Sequence, residues 1–251
     1  MIKATDLSFG YKNKKVLNGI SLTLEKGELC SIVGVNGCGK TTLIHLLDRT
    51  LTPDTGEIEV DQLPSSSYSP KDYAKKISKL SQHRSPPAVS VSQLLESARY
   101  PYLGFSGKLS PTDVSAIDTA VKMTGIVHLL DRSVRELSGG ERQRAYFAML
   151  LAQDTPYVLL DEPSTHLDIP GRLDLYRLID DLKKLGKGIL AVSHDLSFAL
   201  KHSDKLLILD GGRTAFYGSP SSDSAIPTVE RVFKVKCIEY ADNGEKEYLF
   251  K

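Results

Sequence analysis

Several features that would place this chain of 251 residues in a special class are missing. No apolar run approaches the roughly 18–20 residues that a membrane-spanning helix needs, and residues 1–15 lack the apolar core of a secretory signal. The three cysteines, Cys30, Cys38 and Cys237, are scattered without metal-binding spacing, which favours free thiols in a reducing compartment. A formal net charge of +1 gives no overall field for nucleic acid or an anionic membrane surface. We therefore expect a soluble cytosolic chain without a nucleic-acid partner, which could meet a membrane only through another protein.

What the sequence does contain is the segment GVNGCGKT from Gly34 to Thr41, which has the G-x-x-x-x-G-K-[ST] spacing of a phosphate-binding loop. The apolar residues 29–33 predict a buried strand before it, and the spacing after Thr41 predicts a helix. Backbone N–H groups of such a turn and the positive end of the helix both suit an anion. Lys40 is expected to reach the β- and γ-phosphates, and the Thr41 hydroxyl to bind Mg²⁺. The predicted nucleotide-binding residues of this segment are Gly34, Val35, Asn36, Gly37, Cys38, Gly39, Lys40, Thr41 and Thr42.

The second feature is a pair of acidic residues. It follows the apolar residues 157–160, which predict a buried strand. Asp161 and Glu162 would stand at its carboxyl end, where ligands bind in open α/β sheets. Asp161 suits a Mg²⁺-positioning acid, and Glu162, whose side chain faces elsewhere, suits a general base for the attacking water. Alternatively, either acid could simply end the strand.

The third feature is Ser138-Gly139-Gly140-Glu141 at the start of a predicted helix. A hydroxyl and bare backbone amides at a helix N-terminus form an anion site, although in isolation an ordinary helix start would explain them. One complete phosphate loop and one separate anion site in a single chain suggest a nucleotide held between two chains.

Buried strands alternate with helices along most of the chain, which predicts an α/β fold with a mixed, mainly parallel sheet. Antiparallel strands are expected at the N-terminus, and residues 83–150 are expected to form an inserted α-helical subdomain. Further along, the pattern predicts a helix over Asp174–Leu185, a hairpin around Asp210-Gly211-Gly212 and a serine-rich link over Pro220–Pro227. We expect a cassette domain over 1–220 and a tail of unknown role over 221–251.

Up to about Pro220, the sequence resembles the ATP-binding cassette (ABC) ATPases, a branch of the P-loop NTPases. The motifs that carry the resemblance are, in chain order, Tyr11, the phosphate loop, Gln82, Leu137–Glu141, Leu159–Glu162, Ser164–Asp168 and His194. The resemblance implies that the chain binds ATP and Mg²⁺ and pairs with a second copy of itself, with hydrolysis driving the pair apart.

The resemblance also implies individual roles. Tyr11 would stack on adenine beside Val16, and Gln82 would contact Mg²⁺ and the lytic water. Asp168 would lie at the seam between two cassettes, and His194 would contact the γ-phosphate. The implied sets are catalytic Glu162, His194 and Gln82; metal-binding Thr41, Gln82 and Asp161; and nucleotide-binding Tyr11, Val16, Ser138, Gly139, Gly140, Glu141 and Asp168, together with the loop. Less specific alternatives are that Tyr11 is a core aromatic, Gln82 a loop residue and His194 a helix cap.

Within the family, the segment Val91–Tyr102 resembles the V-x-x-x-x-x-x-G-R-x-P segment of importers of iron–siderophore chelates, haem and cobalamin. Ala98 stands in place of the glycine of that segment, Ser164 stands where a threonine is usual, and the C-terminal tail is divergent. Molybdate or tungstate importers share the same features. The implied function is an importer ATPase at the cytoplasmic face of the membrane, bound to permease subunits and served by a substrate-binding protein. By the same resemblance, residues of about 83–110 would receive the permease, with contacts from Tyr100, Tyr102, Leu103 and Phe105. Alternatively, these four side chains fill the core of the helical subdomain.

Two other functions stay open at this point. Non-transporter ABC ATPases act on ribosomes or DNA, but they usually carry two cassettes or a long coiled coil, and this chain has one cassette and no sustained heptads. An exporter cassette is the other possibility.

Separately, Cys38 lies beside Lys40 at a helix N-terminus, from which we expect a lowered thiol pKa and ATP-sensitive labelling.

Overall fold

The computed structural model describes residues 1–12, 14–81, 86–105, 107–165, 167–242 and 244–251. The strands are β1 (Ile2–Tyr11), β2 (Lys14–Leu24), β3 (Leu29–Gly34), β4 (Thr55–Val60), β5 (Leu63–Pro64), β6 (Ile77–Leu80), β7 (Tyr157–Asp161), β8 (Gly188–Val192), β9 (Lys205–Asp210), β10 (Arg213–Gly218), β11 (Cys237–Asp242) and β12 (Glu245–Phe250). The α-helices are α1 (Lys40–Leu47), α2 (Pro70–Ala74), α3 (Val91–Ala98), α4 (Pro111–Thr124), α5 (Gly139–Gln153), α6 (Ile169–Lys184), α7 (Leu196–His202) and α8 (Ala225–Phe233). None of the helices in these ranges is long and apolar enough to cross a bilayer.

The central sheet has the strand order β10-β9-β3-β8-β7-β6. β9, β3, β8, β7 and β6 run parallel, and β10 pairs antiparallel at one edge. β3, β7 and β8 are buried along their whole length, which explains why they are continuous apolar runs rather than alternating ones. Their carboxyl ends meet at one edge of the sheet, because Ile32 and Asp161 both pair with Val192. The predicted α/β fold class is confirmed.

A second, antiparallel sheet with the order β2-β1-β4-β5 contains the N-terminal strands, as expected. It is joined to the β9–β10 hairpin, whose two-residue turn has positive φ at both Gly211 (53°) and Gly212 (75°). A Cβ on Gly212 would lie 2.1 Å from the carbonyl oxygen of Val16, so only glycine fits. The N–H of Asn18 donates to the carbonyl of Gly212 at 2.8 Å, which fixes the hairpin against β2.

The helices α3, α4 and α5 share an apolar core of their own, made by Val91, Leu94, Leu95, Ala98, Ala120, Val121, Ile126, Leu129, Val134, Leu137, Ala145, Ala148 and Ala152. A buried ion pair joins all three helices. Arg99 Nε donates to Asp113 Oδ1 at 2.8 Å, and Arg99 Nη1 donates to the carbonyl of Ala152 at 2.8 Å. Because Asp113 belongs to the first turn of α4 and Ala152 to the last turn of α5, Arg99 fixes the end of α3 against both.

Two local expectations are wrong at their boundaries. The helix predicted over Asp174–Leu185 starts at Ile169, because Asp168 caps it and Pro170 occupies the first turn, where no N–H is required. The segment Pro220–Pro227, expected to be a link, instead leads into α8. Pro227 is tolerated in α8 because it also lies in the first turn.

The C-terminal residues pack onto the cassette. α8 buries Ala225, Val229 and Val232, and the two valines belong to a cluster that includes Ile208 of β9. β11 and β12 form an antiparallel hairpin, and Ser197 Oγ of α7 donates to the carbonyl of Tyr248 in β12 at 2.8 Å. This hairpin was not predicted from the sequence, and the division of the chain at residue 220 stays a prediction.

The Arg99–Asp113 pair leads to a first prediction. Both side chains are only 4% exposed, so Asp113→Asn leaves the guanidinium buried without a counter-charge while keeping the side-chain shape. We expect the free energy of unfolding, measured by urea titration, to fall by about 3 kcal/mol.

The control is Asp181→Asn, which removes an exposed ion pair: the side chain of Asp181 is 51% exposed and that of its partner Lys184 is 77% exposed. This variant should change the free energy of unfolding by less than about 0.5 kcal/mol. Equal losses in the two variants would contradict a structural role for the buried pair.

Candidate functional site: a phosphate loop at the edge of the parallel sheet

The loop between β3 and α1 takes a path that only glycine permits at two points. Gly39 has φ of 106°, and a Cβ there would lie 2.5 Å from a methyl group of Leu17. At Gly34, a Cβ would lie 2.4 Å from the carbonyl oxygen of Leu209 in the neighbouring strand β9. The loop is therefore pressed against the sheet on one side and leads directly into the first turn of α1.

The lysine of the loop folds back over it. Lys40 is 5% exposed, and its Nζ donates to the carbonyls of Gly34 at 2.8 Å and Val35 at 3.3 Å. The ammonium thus lies inside the curve of the loop, where the N-terminal end of α1 also favours negative charge. This is the arrangement that a bound phosphate requires, with a cation and backbone donors around one space.

Next to the loop, Thr41 and Asp161 lie together. Thr41 Oγ1 donates to Asp161 Oδ1 at 3.2 Å, and burial raises the pKa of the Asp161 carboxyl, while the bond from Thr41 acts in the opposite direction. These two oxygen donors suit Mg²⁺, which takes one or two protein oxygens and completes its shell with phosphate and water. In keeping with this, the described residues contain no group of three or more His, Cys, Asp or Glu placed to hold a metal.

Glu162, one residue on, has different partners from Asp161. Its Oε1 lies 2.7 Å from His194 Nε2, and its Oε2 accepts a hydrogen bond from Thr165 Oγ1 at 3.3 Å. Glu162 has φ of 50°, a left-handed conformation that is strained for a residue with a side chain. Thr165 was not singled out from the sequence, because its contact arises only from the turn after β7.

A cleft of about 400 Å³ brings together much of the predicted site. The residues that line it are Val16, Asn36, Gly37, Gly39, Lys40, Thr41, Thr42, Glu162 and His194.

Of the other predicted residues, Tyr11 is outside this lining. Its ring is 48% exposed and packs edge-on against Phe9 at 4.9 Å, so the alternative of a core aromatic does not hold. Gln82 lies outside the described residues, and its predicted role stays a prediction.

The segment Ser138–Glu141 does not line this cleft. Ser138 caps α5 in a reciprocal arrangement: its N–H and hydroxyl donate to Glu141 Oε2 at 2.9 and 2.7 Å. Gly139 and Gly140 line a second cleft, of about 570 Å³, together with Asp168 and Glu162. A Cβ on either glycine would meet no atom within 4 Å, so this helix end presents bare backbone to its surroundings.

Asp168 plays a local structural part as well. Its Oδ1 accepts from the N–H of Gly171 at 2.9 Å, which caps α6. The candidate residues therefore form two groups on the same chain. The phosphate-loop residues line the first cleft, Gly139, Gly140 and Asp168 line the second, and Glu162 borders both.

The expected lowering of the Cys38 thiol pKa is wrong, and ATP-sensitive labelling stays a prediction. The Cys38 side chain is buried at 3% exposure, and burial raises the pKa of the thiol more than the nearby charge of Lys40 lowers it. The sequence showed the neighbouring cation but not the packing against the strands.

Comparison with known proteins gives a consistent result. The family model described as "ABC transporter" matches residues 17–165. The ferric enterobactin transport ATP-binding protein FepC of Escherichia coli (strain K12) is 36% identical over 239 residues, 94% of this chain and 88% of that protein. The petrobactin import ATP-binding protein YclP of Bacillus subtilis (strain 168) is 34% identical, with 97% of each chain covered.

Solved structures agree on the fold. A putative metal-chelate type ABC transporter in an inward-facing conformation superposes with a TM-score of 0.83 at 23% identity, covering all of this chain and 97% of the other. CbiO1 of Clostridium perfringens, part of the cbiONQ ABC transporter complex, gives a TM-score of 0.76 at 27% identity, covering 92% and 94%.

The thiols provide a second prediction. At pH 7, iodoacetamide should label the half-exposed Cys237 at least about tenfold faster than Cys38, because Cys38 is buried; burial raises the pKa of both thiols, so the difference in exposure decides the rates. Cys30, buried and with its pKa raised to about 12, should be slower still. Intact-mass and peptide analysis would follow the three sites, with Cys237→Ser as the control for assignment. Rapid Cys38 labelling that ATP blocks would contradict the burial argument.

Proposed function

The chain belongs to the ABC transporter ATP-binding family, whose members are ATPases coupled to transport, and on this premise we propose that it powers the import of a ferric siderophore, haem or a similar metal chelate. The observation that carries the proposal is the extent of the match. Relatives named as ATP-binding proteins of ferric enterobactin transport, of a probable siderophore transport system and of petrobactin import are 34–36% identical over 94–97% of the chain.

The phosphate-loop cleft supports binding of the ATP triphosphate. Lys40 would exchange its two carbonyl partners for phosphate oxygens, since charge-assisted contacts are the stronger ones. Thr41 and Asp161 would hold Mg²⁺, which neutralises charge on the phosphates when bound. Val16, which also lines the cleft, would pack near the adenine that Tyr11 would stack on.

Glu162 is the proposed general base. It lies at the carboxyl end of β7 with its side chain 12% exposed, and its contacts with His194 and Thr165 fix the carboxylate at one edge of the cleft. A water beside the γ-phosphate would be oriented by Glu162, and His194 would hold the γ-phosphate from the same side. Gln82 is the proposed third contact to that water and to Mg²⁺.

The N-terminus of α5, with its uncovered backbone amides, supports a role in completing the nucleotide site of a second copy of the chain. The γ-phosphate needs donors on all sides as charge is redistributed, and a single chain surrounds it only from the phosphate-loop side. Ser138, Gly139 and Gly140 of a second copy would supply the remaining donors, with Asp168 at the seam. ATP would then hold two cassettes together, and hydrolysis would release them.

The surface after α3 supports docking to a permease. Tyr100 is 76% exposed and Phe105 is fully exposed, so neither fills the helical core, which was the alternative reading. Exposed aromatics are frequent interface anchors. The proposed location is the cytoplasmic face of the membrane, through the permease, with a substrate-binding protein delivering the chelate.

The import function is tested by purifying the tagged chain from detergent-solubilised membranes of its native host. A polytopic permease should copurify, and vesicles containing the complex should take up a ferric siderophore or haem only with ATP. Copurification of ribosomes or DNA in place of a permease would contradict the transport function.

Glu162→Gln tests the proposed base. The amide keeps the shape but cannot accept a proton, so we expect ATP affinity within about twofold of the parent and turnover reduced by at least about 100-fold. The variant should also form an ATP-dependent dimer, seen by size-exclusion chromatography with light scattering. Glu57→Gln, an exposed acid on β4, is the control. Parent-like turnover in Glu162→Gln would rule out the role.

Ser138→Arg tests the shared site. The bulky cation would fill the surface facing the partner's nucleotide without reaching the phosphate loop of its own chain. We expect turnover to be lost while equilibrium binding of a fluorescent ATP analogue stays within about twofold of the parent. Unchanged turnover would contradict the two-chain site.

A further inference from the structure

The carboxylate of Asp195, the residue after His194, has two separate partners. Its Oδ1 accepts from the backbone N–H of Phe198 at 2.9 Å, which caps α7. Its Oδ2 accepts from the hydroxyl of Tyr176 in α6 at 2.6 Å. A helix cap needs only the first of these bonds, so the second is an additional connection between two helices.

On the other side of His194, Ser193 is tied to the sheet. Its N–H donates to the carbonyl of Ile32 in β3 at 3.0 Å, and its hydroxyl accepts from the N–H of Asp195 at 3.0 Å. His194 is therefore the middle residue of a turn that is anchored before it to β3 and after it to α7 and α6. Its own ring is 45% exposed and is held by the 2.7 Å contact with Glu162.

The ring of Tyr176 is positioned independently of its hydroxyl. It stacks on Phe198 with a centroid distance of 4.0 Å and an interplanar angle of 18°, and Phe198 stacks in turn on His202 at 4.8 Å. Burial and then the bond to Asp195 raise the pKa of Tyr176, so the hydroxyl stays a donor throughout the physiological range. Removing only the hydroxyl should leave the stacked rings in place.

We propose that Tyr176 is a positioning residue for His194: by holding Asp195, it fixes the turn that carries the histidine relative to α6. The inference rests on the proposed contact of His194 with the γ-phosphate. Because α6 is capped by Asp168, which lies at the proposed seam, the hydroxyl connects the helix that starts at the seam to the γ-phosphate side of the cleft.

Tyr176→Phe is the direct test. We expect kcat for ATP hydrolysis to fall about tenfold, the effect of losing one hydrogen bond to a charged group, with KM and the affinity for a fluorescent ATP analogue within about twofold of the parent. The matched control is Tyr68→Phe, which removes the 2.8 Å bond from another half-buried tyrosine hydroxyl to the carbonyl of Val60, away from the cleft. It should lower thermal stability to a similar degree and leave kcat unchanged. Equal kcat in the two variants would overturn the proposal.

The route through His194 is tested by a double-mutant cycle. In the His194→Ala background, Tyr176→Phe should cause no further loss of kcat, because the residue it positions is gone. A further tenfold loss would show that Tyr176 acts by another route and would overturn the proposal. Full turnover in His194→Ala alone would remove the proposed role of His194, whereas an inactive His194→Ala with a fully active Tyr176→Phe would overturn only the positioning role.

Discussion

The parallel pairing of β3, β8 and β7 fixes where the chemistry can occur. Alternate residues of β7 point to opposite sides of the sheet: Tyr157 and Leu159 pack towards α1, and Val158 and Leu160 towards α6. That alternation, continued by one residue, sends Asp161 to Thr41, and Glu162 after it turns to His194. A register slip of one residue would exchange the two sides, which the buried strands forbid because every apolar side chain would also change sides.

At this edge of the sheet, the polar groups of the site are already hydrogen-bonded to one another. Lys40 bonds to loop carbonyls, Thr41 to Asp161, and Glu162 to His194. In the second group, Ser138 bonds to Glu141. In the proposed function, ATP binding thus exchanges internal hydrogen bonds for contacts to phosphate. Its net free energy is the difference between a free and a bound state in which the polar groups are all hydrogen-bonded. Internal bonding keeps the charged groups in place near the sheet edge, so that little reordering accompanies binding.

The sequence predicted what depends on neighbouring residues and missed what depends on distant ones. The phosphate loop, the strand ending in Asp161 and the helix opened by Ser138 are local patterns, and each lies where the pattern indicated. The early start of α6 and the helix α8 were missed because proline and serine signal breaks unless the cap is known. The C-terminal hairpin contains neither residue type, and the Asn243-Gly244 pair in its sequence is the local signal that could have indicated it. The pKa of Cys38 and the bond from Tyr176 to Asp195 depend on packing between elements far apart in the chain.

The left-handed backbone at Glu162 has a consequence for how this position evolves. Holding a side-chained residue there costs roughly 1 kcal/mol, which a glycine would recover. Selection for folding alone would therefore favour loss of the carboxylate, and the proposed role of Glu162 as the general base opposes that loss. A natural variant with glycine at this position is then expected to resist heat better and to bind ATP without hydrolysing it.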